Sequence, residues 1–382
     1  MKVCFVLEHY HPHVGGAETI TRGMTSWLVK LGCEVKVITS NSGGIDGMSL
    51  HDGVEVYHFP WRSFFGHPVP DLKDMYETVE WADIVHTTTY TAAPRALKAA
   101  RRFDKPCLLT VYEALGNKWF WVESNYLKAS LFFCFERYVI RKKFSLYHAI
   151  SRATGADLIE CGIPSGSITT IYPGLRDEFK ERDAGSDSPM SARADERSKD
   201  FLFFGRPGKT KGIFILYEAI KRARERLPDD FRFVFVLSDD PLSEKNRLKR
   251  LVEEEGLTGR VVIQDSLPKE GLIRAIRDSF CVVVPSITEG FGFSAAETCA
   301  LGKPIITSDG GSLPEAVSGR VLFFQNRNSE DLARKIMLAT KGEFAIVADK
   351  RFDWRESTEQ LLAAYEGLLA GRRQEETVSL PR

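Results

Sequence analysis

Two carboxylates bracket a glycine-rich turn in Glu289-Gly-Phe-Gly-Phe-Ser-Ala-Ala-Glu297. The apolar run Phe280–Val284, closed by Pro285-Ser286, precedes it, and a helical pattern follows. The turn is therefore expected to join a strand to a helix N-terminus. Gly290 and Gly292 leave backbone N–H groups uncovered at the electropositive helix end, which suits a phosphate. Acidic side chains beside it suit sugar hydroxyls, which need acceptors. Ser294-Ala-Ala-Glu297 also reads as a capping box, with Ser294 as N-cap. That alternative stays open for Glu297 but leaves Glu289 unexplained.

Gly205-Arg206-Pro-Gly-Lys-Thr-Lys211-Gly212 is a second turn with chemistry in it. Arg206 and Lys211 stand five residues apart and could together neutralise a diphosphate in a cleft, with Lys209 the less suited cation. The plain alternative is a solvated basic loop. The spacing is not that of a P-loop. Val14-Gly15-Gly16-Ala17-Glu18 follows the first apolar run, and Gly15 and Gly16 permit close backbone approach to a ligand. It is equally a tight turn, and it lacks the three spaced glycines of a dinucleotide fingerprint.

His86 ends one expected strand and Tyr112-Glu113 ends the next, so all three are candidates to meet a substrate at the same cleft. A lone histidine is more often structural, and that reading is preferred for His86. Lys118–Lys143 mixes eight aromatic, six basic and two acidic residues. It reads as a helix packed on a sheet with a solvated basic end. The sharper alternative is peripheral contact with an anionic membrane or an amphiphilic acceptor.

Short apolar strands alternating with longer helical patterns must position these residues. Strands are expected at Val3–Leu7, Val35–Thr39, Glu55–Phe59, Ile84–His86, Cys107–Thr110 and Leu146–Ile150. A second series is expected at Phe201–Phe204, Phe231–Leu237, Val261–Gln264, Phe280–Val284, Pro304–Thr307 and Val321–Phe324. This rhythm predicts an α/β protein with two doubly wound, Rossmann-like domains, and ligands beyond the carboxyl ends of the strands in an interdomain cleft. The expected divisions are a first domain over 1–175, a polar linker over 176–199 and a second domain over 200–350. A final helix at about 354–370 is expected to return to the first domain.

The 382 residues suffice for two or three domains, and 52 basic against 52 acidic residues give no global charge that favours nucleic acid. Seven scattered cysteines with no Cys-x-x-Cys pair read as reduced core thiols of a cytoplasmic protein. The charged residues that follow Met1–Leu7 argue against a signal peptide, and no apolar run reaches the length of a spanning helix.

Gly15-Gly16-Ala17-Glu18, Arg206 with Lys211-Gly212, Pro285-Ser286 and Glu289-x7-Glu297 occur in an order that resembles the family-4 retaining glycosyltransferases of GT-B fold. Ser151-Arg-Ala-Thr and Ile171-Tyr-Pro-Gly174 are similar to that family's interdomain signatures, and the resemblance spans about residues 1–370. It implies transfer of a sugar from a UDP- or GDP-linked donor to a glycan or lipid-linked acceptor, with no cofactor and no metal. By position it implies that Gly15 and Gly16 approach the donor diphosphate, and that Arg206 and Lys211 clamp it. Glu289 would contact the donor sugar, and Glu297 the ribose hydroxyls. Gly290, Phe291 and Gly292 would give backbone contacts. The chain departs from the pattern where Tyr112 replaces a common histidine, with Glu113 as partial substitute. It departs again where Ser238-Asp239-Asp240 replaces Gly-x-Gly.

Three other readings compete: a same-fold sugar-nucleotide epimerase or glycan phosphorylase, a nicotinamide oxidoreductase, and a non-catalytic binding protein. No cofactor lysine stands out for a phosphorylase, and the missing fingerprint disfavours nicotinamide.

Overall fold

The computed structural model describes residues 1–13, 15–41, 44–64, 67–123, 125–179 and 198–379. Val14 and most of the expected linker, residues 180–197, lie outside that description. The chain forms two compact units, one of Met1–Gly174 with Phe352–Arg382 and one of Leu175–Arg351.

The first unit is built on strands β1 (Lys2–Val6), β2 (Glu34–Ser40), β3 (Gly47–His51), β4 (Val54–Phe59), β7 (Ile84–Thr88), β8 (Cys107–Val111), β9 (Leu146–Ala149) and β10 (Ile168–Thr170). Their order is β10-β9-β8-β7-β1-β2-β4-β3, with a separate small hairpin of β5 (Arg62–Phe64) and β6 (His67–Val69). All pairs in the large sheet are parallel except β3 with β4. β7 and β8 are buried along their whole length; β8 is apolar but for Thr110, as expected of such a strand, whereas β7 carries His86, Thr87 and Thr88 inside. β4 instead alternates buried and half-buried positions, as expected of a strand with one covered face. Asp52 and Gly53 link it to β3 with φ of 53° and 80°, the two-residue turn that Asp-Gly favours.

Helix Trp354–Ser379 belongs to this unit. Trp354 lies so close to Gly23 and Gly174 that a Cβ on either would meet it at 2.4 Å. Further along, Tyr365 is fully buried.

The second unit carries β11 (Asp200–Gly205), β12 (Arg232–Leu237), β13 (Val261–Asp265), β14 (Cys281–Val284), β15 (Ile305–Ser308), β16 (Gly319–Phe324) and β17 (Ala345–Val347). Their order is β13-β12-β11-β14-β15-β16-β17, and only β17 runs antiparallel to its neighbour. Strand order thus reverses between β11 and β14, the switch point beyond which doubly wound sheets bind ligands. β1 and β7 make the corresponding reversal in the first unit. Phe201, Phe203, Phe233 and Phe235 fill one face of the second sheet, with Phe201 and Phe233 stacked at 5.1 Å. Phe179 is fully buried in the core on the other face, so the start of the expected 176–199 linker is part of this unit.

Candidate functional site

At the switch point of the second unit two loops lock together. The first leaves β11 at Gly205 and enters helix Ile213–Ala223 through Gly212, which has φ 69°. A Cβ on Gly212 would stand 1.9 Å from the carbonyl oxygen of Pro285, so only glycine fits there. Ile287 N–H also donates to the Thr210 carbonyl at 2.7 Å. Lys211 is thereby carried to the loop that leaves β14, and its Nζ lies 2.6 Å from Glu289 Oε1. Ser286 Oγ donates to the same oxygen at 2.7 Å, and Ser312 Oγ donates to the Glu289 carbonyl at 2.9 Å. Arg206, on the Lys211 loop, is exposed and takes part in no ion pair among the described residues.

Beyond Glu289 the loop passes Gly290 and Phe291 and turns at Gly292, φ 92°, into helix Phe293–Ala300. The Phe291 ring is buried against Phe293 at 5.0 Å. Gly292, not Ser294, is the N-cap, and no side chain caps this helix. The capping-box reading of Glu297 is therefore corrected. Its carboxylate, 7% exposed, receives Arg176 Nη2 at 3.1 Å instead of returning to the helix start. Burial pushes the Glu297 carboxyl above the ordinary carboxylate range, against the opposing pull of Arg176.

Arg176 escaped the sequence reading. With Asp177 and Glu178 next to it in the chain, it reads as an ordinary member of a mixed-charge stretch. Lys245 escaped it too. Almost wholly buried, it reaches Asp239 Oδ1 at 2.6 Å and Asp265 Oδ1 at 2.5 Å, tying the ends of β12 and β13 together. The departure at Ser238-Asp239-Asp240 thus has a structural consequence at the sheet edge beside the site.

In the first unit, Gly15 is the extended N-cap of helix Gly16–Lys30. The Glu18 carboxylate folds back over it, so a Cβ on Gly15 would meet Glu18 Oε2 at 2.3 Å. His13 Nδ1 pairs with the other oxygen at 3.2 Å. Tyr112 comes to the same turn, its hydroxyl donating to the Ala17 carbonyl at 3.3 Å, and burial pushes that hydroxyl above the usual tyrosine range. Glu113 lines a small cavity with Thr89, Tyr90 and Glu136. Glu8, at the exit of β1, accepts from the Thr91 amide and hydroxyl and from His67 Nδ1 at 3.1 Å, which holds the His67 imidazole above its ordinary pKa.

His86 does not join this group, and its assignment as a substrate contact is corrected. It is fully buried between Tyr365 and Thr110, with Nδ1 2.5 Å from the tyrosine oxygen and Nε2 2.6 Å from Thr110 Oγ1. Thr110 Oγ1 continues to His148 Nδ1 at 2.9 Å, and His148 Nε2 ends on the Ile171 carbonyl at 3.0 Å. A carbonyl can only accept, so His148 Nε2 carries the proton. Thr110 therefore donates to His148, His86 Nε2 donates to Thr110, and Tyr365 donates to His86. Both rings are neutral. Burial holds His86 well below the ordinary histidine value and His148 at about 4.

Comparison with known proteins matches this arrangement to a family. The model described as Glycosyl transferases group 1 matches residues 187–361, and that described as Glycosyltransferase Family 4 matches residues 14–179. The chain belongs to the glycosyltransferases of GT-B fold. It is similar to the D-inositol 3-phosphate glycosyltransferase of Xylanimonas cellulosilytica, 25% identical over 92% of this chain and 91% of that protein. It is also similar to the GDP-mannose:cellobiosyl-diphosphopolyprenol alpha-mannosyltransferase of Xanthomonas campestris, 24% identical over 99% of this chain and all of that one. Among solved structures, Anabaena HepE in complex with UDP superposes with a TM-score of 0.73 at 18% identity over 96% of this chain and 100% of that chain. The sucrose-phosphate synthase of Thermosynechococcus elongatus gives 0.76 at 20% identity over 97% and 99%.

Proposed function

We propose that this glycosyltransferase moves a sugar from a UDP- or GDP-linked donor to a glycan or lipid-linked acceptor, with retention at the anomeric carbon and without a metal. The observation that carries this reading is the contact of Lys211 with Glu289 on two interlocked loops at the switch point, with Arg206 exposed on the same turn. When the glycosyl–phosphate bond breaks, positive charge grows on the sugar and negative charge on the departing diphosphate. Arg206, Lys211 and the uncapped N–H groups after Gly292 stabilise the diphosphate. Two cations supply charge that a metal supplies elsewhere. Glu289 faces the donor sugar, Glu297 receives the ribose hydroxyls, and Gly290, Phe291 and Gly292 contribute backbone.

Gly15 and Gly16 offer backbone N–H groups to phosphate, and an anion that reaches them displaces the Glu18 carboxylate. Tyr112 and Glu113 serve the sugar or acceptor. The leaving phosphate takes the acceptor proton as the new bond forms on the same face. The mannosyltransferase relative is named for a lipid-linked glycan acceptor, which supports that class here.

The experiment incubates the protein with UDP- and GDP-sugars plus glycan or polyprenol-diphosphate glycan acceptors, in excess chelator. Free nucleotide diphosphate released together with a glycoside of unchanged anomeric configuration is expected. Activity restored only by Mg²⁺ or Mn²⁺ would overturn the metal-free chemistry. Sugar isomerisation without an acceptor product would favour an epimerase.

A further inference from the structure

Helix Tyr126–Ile140 buries Ala129, Glu136, Val139 and Ile140 and turns another face outward. Leu127, Leu131, Cys134 and Tyr138 follow one another at helical spacing along that outer face, and all four are exposed. Leu127 is 80% exposed, Leu131 49% and Tyr138 54%. Tyr126, 73% exposed and packed on Phe120, precedes the strip, and Trp121 on the short helix Trp119–Val122 is 52% exposed. The strip runs about 16 Å at 1.5 Å per residue. Soluble surfaces seldom leave large apolar side chains contiguous without a partner.

The polar surroundings of this strip carry one sign. Lys128, Arg141 and Lys143 are exposed, and Lys142 lies over the Tyr138 ring at 4.1 Å. The two carboxylates of the segment are withdrawn. Glu136 is buried and accepts the Leu115 and Gly116 amides at 2.8 and 2.7 Å, and half-buried Glu123 accepts from Asn125 N–H. A second copy of this chain meeting the strip symmetrically would set these cations against themselves. An anionic lipid surface complements both the apolar strip and its cations.

We propose that this face is a peripheral docking surface for anionic membrane. Leu127 and Leu131 enter the acyl boundary, Trp121, Tyr126 and Tyr138 sit at headgroup level, and Lys128, Arg141, Lys142 and Lys143 lie over lipid phosphates. The plain packed-helix expectation holds for Trp119 and Phe120, which pack on Phe132 and Phe133, but not for this outer face.

The full chain is sedimented with phosphatidylcholine vesicles, alone or with roughly 30% phosphatidylglycerol, the lipid that supplies the negative surface potential. Binding to the anionic vesicles only, weakened by salt, is expected. Lys142→Glu with Lys143→Glu should cut apparent affinity tenfold or more, since each cation near such a surface contributes about 1 kcal/mol. Leu127→Asp with Leu131→Asp should abolish binding at unchanged melting temperature. Cys134 is the exposed one of the seven cysteines and reports on the face without any substitution. A charged maleimide should modify it in free protein and fail to do so on anionic vesicles. Absence of binding to anionic vesicles would overturn the proposal, as would binding that both double variants keep. Protection of Cys134 without lipid, together with a dimeric mass in light scattering, would assign the face to a second copy instead.

Discussion

Two polar clusters stand on or just beyond parallel strands in this molecule, and they are built on opposite principles. In the first unit the chain from Tyr365 through His86, Thr110 and His148 to Ile171 is sealed from water, and each proton has an assigned donor and acceptor. In the second unit Lys211 and Glu289 are left partly exposed and satisfy each other by direct contact. Nothing can be added to the sealed chain without unfolding its surroundings. The open pair can exchange its partner for a phosphate and a sugar hydroxyl at little structural cost. Their polar residue types alone do not separate the two, and the completeness of the hydrogen bonding does.

Breaking the open cluster should cost activity and spare the fold. Arg206→Ala and Lys211→Ala are each expected to lower turnover about 10²–10³-fold, the scale of a lost oxyanion donor, with melting temperature nearly unchanged. Near-normal turnover in both would remove the diphosphate clamp from these residues.

The sealed cluster should show itself in pH dependence. Its histidines lie below the unfolded value of about 6.5, so their contribution to stability is full above that pH and is lost as pH falls towards 4. His148 alone accounts for up to about 3 kcal/mol over that window. Equilibrium unfolding between pH 7 and 5 should show the decline, and His148→Gln should make it shallower. A smaller effect is expected from Tyr365→Phe, which leaves His86 Nδ1 without its donor and costs about 1–3 kcal/mol in denaturant titration. Turnover at saturating donor should not change.

Glu297→Gln is the mildest perturbation and sharpens the open side. It should raise donor KM several-fold with kcat little altered, as for lost uniform binding. Glu289→Gln should lower kcat instead. Equal donor KM in wild type and Glu297→Gln would remove Glu297 from the site.

Much of the fold could be read from the chain because strands buried on both faces, such as Cys107–Val111, are dominated by apolar residues. The short edge and hairpin strands β3, β5, β6, β10 and β17 could not be read, since three to five residues with solvent on one side carry little pattern. Lys211 and Glu289 were legible through their glycine-flanked turns. Arg176 was not, because its pairing with Glu297 spans 121 residues and nothing in either neighbourhood announces the other. His86 misled for the same reason, as its partner Tyr365 lies 279 residues away. Cys134 was expected in the core with the other cysteines, yet one turn of helix decides which side of the element it faces.

The first unit takes its last helix from residues 352–382, after the whole second unit. On a ribosome, His86 therefore emerges long before the tyrosine that completes it, and Gly23 and Gly174 wait for the indole that will cover them. Residues 175–351 are contiguous and can finish folding first. The opening half of the chain, although made earlier, closes last, and a nascent chain halted before Trp354 holds one finished unit and one unsealed sheet.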